Sequence, residues 1–131
     1  MTDEHERAML LYVEDELITQ ECVAATLKEA GFGVTVASSG AEALDLLASA
    51  AAPFRGLVTD IDLGKGPDGW EIARRARALV DVLPVVYVSG ASHDDWASKG
   101  VPASIMIAKP CAPVQIVVAV SALLNATGGK L

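Results

Sequence analysis

Apolar and polar positions alternate along this chain on two scales. Five short apolar runs, at residues 9–13 (MLLYV), 34–37 (VTVA), 57–59 (LVT), 83–88 (LPVVYV) and 104–107 (SIMI), are mostly flanked by polar or glycine-containing stretches. Such runs are expected of strands buried on both faces. Longer segments of helical character lie between them. Residues 16–30 end at Gly31-Phe32, a glycine stop of the kind that closes helices in the left-handed conformation. Ser39 stands three residues before Glu42, and Asp68 three before Glu71, each the signature of a capping box at a helix start.

Five strands alternating with five helices predict an open parallel α/β sheet with helices on both faces, because parallel strands need crossovers and these are right-handed. Ligands of such sheets bind beyond the carboxyl ends of the strands, where strand order reverses. The expected extent is a single domain over residues 1–131 with its core at about 9–125, without repeats or low-complexity tracts.

Charge narrows the function. Ten basic against seventeen acidic residues give a net charge of -7, which repels a phosphate backbone and an anionic bilayer alike and argues against nucleic-acid or membrane binding. The opening MTDEHERAMLLYVEDE carries charges where a signal peptide has a basic segment and an apolar stretch, so a cytoplasmic protein is expected. Cys22 and Cys111 are too few for a disulfide framework and lack metal-site spacing; each reads as a small core residue in a reducing compartment.

The chemistry gathers at the predicted strand ends. Residues 58–69 read VTDIDLGKGPDG, placing Asp60 and Asp62 where an apolar run stops and a glycine-rich loop begins. The first strand runs into Glu14-Asp15, the fourth into Ser89-Gly90 and the fifth into Lys109-Pro110. All fall on one edge of the sheet. Carboxylates converging there repel one another unless a hard divalent cation sits among them, and Mg2+ suits a site with few carboxylates, several waters and a phosphate. A serine hydroxyl and a lysine ammonium complete a pocket for a phosphoryl group, with Asp60 as the nucleophile.

On these residues the chain resembles the receiver domains of the two-component response-regulator family, from Leu10 to about Asn125. The resemblance implies a flavodoxin-like, doubly wound five-stranded sheet of order 2-1-3-4-5. It also implies that Asp60 is the phosphoacceptor, that Asp15 binds Mg2+ directly, and that Glu14 acts beside it largely through water. The main-chain carbonyl of Asp62 is implied as a further ligand, its side chain pointing elsewhere. Ser89 matches the hydroxyl residue that meets the phosphoryl oxygen, Lys109 the lysine that ion-pairs with it, and the Lys109-Pro110 bond is expected to be cis.

Three departures stand beside the match. The family usually has proline four residues after the phosphoacceptor and Asp-Gly at seven and eight; here Gly64 stands at four and Asp68-Gly69 come one residue late, so the loop is lengthened, with Lys65 either near the pocket mouth or simply in solvent. Receivers commonly place an aromatic three residues before the lysine, and here that residue is Met106, which has no ring to swing. Tyr87 is expected to pack within the sheet rather than replace it. The stretch GASHDDWASKGVPAS leaves room for about two helical turns, predicting a short or mobile fourth helix, with Trp96 either an exposed anchor for a partner or, the preferred reading, a lid on the core, and His93 solvated.

In the last helix, Ile116, Val117, Val120, Leu123 and Leu124 share the expected core face, while Val114 and Val118 fall opposite, a modest contact surface for a homodimer mate or signalling partner. Arg74, Arg75 and Arg77 read as a solvated face. The whole describes a stand-alone phosphoacceptor, not an enzyme. A sensor histidine kinase or histidine phosphotransfer protein donates, and a downstream protein target responds. Two alternatives differ in class: a degenerate receiver acting as an unphosphorylated interaction module, and a haloacid-dehalogenase-like phosphatase, whose DxD motif Asp60-Ile-Asp62 resembles. No acid follows Lys109, where that phosphatase family has an acidic pair.

Overall fold

The pleat of the first strand divides the molecule into two layers. A computed structural model describes residues 7–50 and 54–128; the charged opening at residues 1–6 and the last three residues of the expected domain lie outside them. In β1 (Met9–Val13), Leu11 and Val13 join one apolar cluster while Leu10 and Tyr12 join the other. The period-two alternation of a strand requires this division. β3 (Phe54–Asp60) and β4 (Val85–Ser89) follow the same rule: Leu57, Val85 and Tyr87 face one layer, Val58, Val86 and Val88 the other.

With β2 (Gly33–Ala37) and β5 (Ser104–Ala108) the strands form one parallel sheet of order β2-β1-β3-β4-β5. Helices α2 (Gly40–Ala50) and α3 (Gly69–Leu79) cover the first layer. Helices α1 (Leu17–Glu29) and α5 (Pro113–Gly128) cover the second. The flavodoxin-like order expected from the resemblance is therefore the observed one.

Local signals behave as read. Gly31 takes φ +101° after α1. Asp68 caps α3 by accepting the N–H of Glu71 (3.0 Å), and Ser39 accepts that of Glu42 (3.1 Å). The Glu42 carboxylate reaches back to the Ser38 N–H (2.7 Å), one residue earlier than a capping box requires. Gly64 and Gly66 both adopt left-handed φ in the lengthened β3–α3 loop, where Lys65 is exposed.

The fourth helix is short, as expected: one turn, α4 (Trp96–Lys99), preceded by a 3-10 turn at His93–Asp95. Three expectations change. Trp96 is no lid: it is 39% exposed and its indole N–H donates to Ser104 Oγ (2.9 Å), so the buried tryptophan is Trp70, which packs on Tyr87. Cys22 is exposed because Val23, Ala24 and Leu27 form the buried face of α1. Arg77 leaves the solvated run to donate to the carbonyls of Leu83 (2.6 Å) and Ala103 (3.3 Å), stapling α3 to the chain before β4 and β5.

Candidate functional site

Each site residue stands where its strand stops. β1 ends at Val13 and delivers Glu14 and Asp15; β3 ends at Asp60; β4 ends at Ser89; Lys109 follows β5. Parallel pairing puts these ends on one edge, with Asp60 opposite Val88 and Ser89 opposite Ala108. Lys109 then donates its backbone N–H to the Ser89 carbonyl (2.9 Å), and the Lys109-Pro110 peptide is cis.

The centre is a lysine between two acids. Lys109 Nζ donates to Asp60 Oδ2 at 2.9 Å and lies 3.6 Å from Glu14 Oε1. Burial disfavours its charge, but the hydrogen bond and charge of Asp60, with the charge of Glu14, outweigh that and hold its pKa above the ordinary value. One ammonium faces a cluster in which Glu14, Asp15 and Asp60 each bring an oxygen within 4.8 Å of the others. Three hard oxygen donors with negative charge in excess are the donor set that Mg2+ accepts.

Glu14 is deeper than the motif alone implied. It is 2% exposed, whereas Asp15 is exposed. Burial pushes the Glu14 carboxyl up to about 7, with Asp60 adding to the rise, while the N–H of Glu16 on Glu14 Oε2 (3.1 Å) and the charge of Lys109 oppose it. Gln20 holds the strand end by donating to the Glu14 carbonyl (2.8 Å) and to Ser38 Oγ (3.1 Å). Tyr12 lies beneath; burial, then Glu14 and Asp60, raise its hydroxyl pKa. Both acids line a cavity of about 570 Å³ that runs between α1 and α5, past Ile18 and Cys22 to Cys111 and Pro113.

Ser89 and Asp62 complete the rim. Ser89 is fully buried, and its Oγ accepts the N–H of Ser92 (2.8 Å), leaving the hydroxyl hydrogen available to donate. The exposed Asp62 carboxylate turns away from the acidic cluster and accepts the Ser92 hydroxyl at 3.3 Å on each oxygen. Gly69 returns the lengthened loop to the strand end: its N–H donates to Ile61 (2.9 Å), and a Cβ there would overlap the Asp60 carbonyl oxygen. Ser92 was not singled out in the sequence; its spacing of three from Ser89 was the available signal.

The response regulator receiver domain model matches residues 10–121. The chain belongs to this family. Among solved structures, a receiver protein from Sinorhizobium medicae is 47% identical, with a TM-score of 0.88 over 92% of this chain and 97% of its own. Chemotaxis response regulator CheY4 of Vibrio cholerae, 24% identical, shares the receiver fold with a TM-score of 0.77 over 90% of this chain and 99% of its own. Response regulator MprA of Mycobacterium avium is 29% identical over 120 residues, covering 90% of this receiver and 51% of MprA. The chain thus spans about half the length of the curated relatives it matches. Among the described residues, no helix is long and apolar enough to cross a membrane.

Proposed function

We propose that this receiver is a phosphoacceptor. A carboxylate oxygen of Asp60 attacks the phosphorus of a phosphohistidine on a sensor histidine kinase or histidine phosphotransfer protein, the N–P bond breaks, and an acyl phosphate forms as the imidazole leaves. The observation that carries this reading is Lys109 Nζ held 2.9 Å from Asp60 Oδ2, within an otherwise acidic cleft. Glu14, Asp15, Asp60 and the Asp62 carbonyl would hold Mg2+, which supplies charge neutralisation for the phosphoryl oxygens. Lys109 keeps a positive charge beside them, and Ser89 offers its O–H to one. The same reading places the chain in the cytoplasm, alongside its donor.

Output follows from changed charge at the strand ends, read by a downstream protein target. Val114 and Val118 stay exposed on α5, which carries no charged residue over Pro113–Gly128. In a chain of net charge -7, an uncharged apolar face favours a second copy as occupant, because like-charged molecules associate where charge is lowest.

The test is incubation with Mg2+ and acetyl phosphate, followed by intact mass. One added phosphoryl group, absent in Asp60→Asn and absent with EDTA, is expected. An unmodified wild-type protein would leave the interaction-module reading in its place.

A further inference from the structure

We infer that Ser92 is a positioning residue that couples the metal end of the cleft to its phosphoryl end. This rests on the phosphoacceptor reading above. Ser92 is half-buried on the loop between β4 and the 3-10 turn, and it bonds in two directions. Its backbone N–H donates to Ser89 Oγ (2.8 Å), and its hydroxyl donates to both carboxylate oxygens of Asp62 (3.3 Å each).

The two bonds set different things. With Ser92 N–H on its oxygen, the buried Ser89 hydroxyl keeps its hydrogen for another acceptor. With Ser92 Oγ between its oxygens, the Asp62 carboxylate is held off the cluster of Glu14, Asp15 and Asp60. The residue before Asp62 is already fixed: Ile61 donates to the Val88 carbonyl (3.2 Å) and accepts from Gly69 (2.9 Å). Beyond Asp62 the chain enters a loop with left-handed glycines at 64 and 66. The Ser92 hydroxyl is therefore the side-chain tie that aligns the Asp62 peptide, whose carbonyl is the expected metal ligand, with the β4 loop. Groups that orient a ligand from outside the coordination sphere typically change metal affinity by 10- to 100-fold.

The experiment is calorimetric titration of the full chain with Mg2+, in wild type, Ser92→Ala, Ser92→Thr, Asp62→Ala and the Ser92→Ala/Asp62→Ala pair, with thermal unfolding in EDTA alongside. Ser92→Ala is expected to weaken Mg2+ binding about 10-fold, Ser92→Thr to restore it, and the double variant to be no weaker than the worse single one. The metal-free unfolding midpoint is expected to stay at the wild-type value. Wild-type affinity in Ser92→Ala, additive losses in the pair, or no rescue by threonine would each overturn the coupling. Acetyl phosphate labelling separates the two ideas. A wild-type protein that binds Mg2+ yet takes no phosphoryl group defeats the phosphoacceptor reading, whereas a labelled wild type matched in Mg2+ affinity by Ser92→Ala defeats this one.

Discussion

The Tyr87 hydroxyl accepts the backbone N–H of Val101 at 3.0 Å, tying the middle of β4 to the loop before β5. Its ring lies 4.8 Å from that of Trp70, so the side chain is held at both ends. Tyr87 is thus structural, and its phenol is no substitute for the aromatic that Met106 replaces. Tyr87→Phe is expected to leave a buried N–H unpaired and cost about 1–3 kcal/mol in urea unfolding. Acetyl phosphate labelling should persist, and a stable but unlabelled variant would assign Tyr87 a part in the chemistry.

Lys109→Ala removes the ammonium that faces Asp60 and Glu14. Loss of one preorganised charge at a developing anion typically costs 10²–10³ in rate. The labelling rate with acetyl phosphate should fall by about that factor, and a loss under threefold would show that Lys109 does not meet the transferring group.

Acidity acts through Glu14. Folded, its carboxyl keeps a proton up to about 7 because it is buried, against 4.5 ordinarily. Between those values the unfolded chain binds fewer protons than the folded one, so this contribution is full below 4.5 and lost as pH rises through about 7. In EDTA, the protein's unfolding free energy should decline across that window, and Glu14→Gln should flatten the decline. Mg2+ binding should run the other way, strengthening with pH as the proton leaves. A wild-type profile that matches Glu14→Gln would contradict the shift.

Gly69 makes the loop and Asp60 neighbours. An alanine Cβ there would overlap the Asp60 carbonyl oxygen and sit 2.9 Å from Ile61 Cα, both backbone. Gly69→Ala is expected to cost about 1–3 kcal/mol, and Asp68→Ala, which only uncaps α3, about 0.5–2 kcal/mol. Labelling should slow in the first and not the second. Equal labelling rates would show that Asp60 is insulated from the loop.

The α5 face is tested by association. Val118 is 62% exposed beside a shallow groove lined by Ile105, Ile107 and Val114. Sedimentation equilibrium should show self-association that Val118→Glu abolishes through repulsion between copies, and an unchanged monomer in both proteins would remove the dimer.

Much of this was legible because buried parallel strands advertise themselves. β1 matches its apolar run residue for residue, and the acids that end β1 and β3 lie where the alternation stops. β3 starts three residues before its run because exposed Arg55 and buried, side-chain-less Gly56 interrupt the apolar pattern. β4 starts two residues late: Pro84 lacks an N–H and enters the ladder only through its carbonyl, which accepts from Leu57 (2.9 Å). Cys22, Trp96 and Arg77 were misread for a common reason. Their tendencies to bury or solvate were overruled by which side of a helix or turn faces the sheet, which composition does not encode. The depth of Glu14 and the tie of Ser92 to Asp62 depend on loops meeting in space and had no linear signature.

The alternation that sorts β1 does not stop at Val13. Leu10 and Tyr12 lead to Glu14 in the cavity beside α1 and α5, while Leu11 and Val13 lead to Asp15 outside it. Parity of position is therefore the address of each acid. Inserting one residue in β1 would not merely displace the pair: it would exchange the inner carboxylate for the outer one and strand two layers of side chains on the wrong sides.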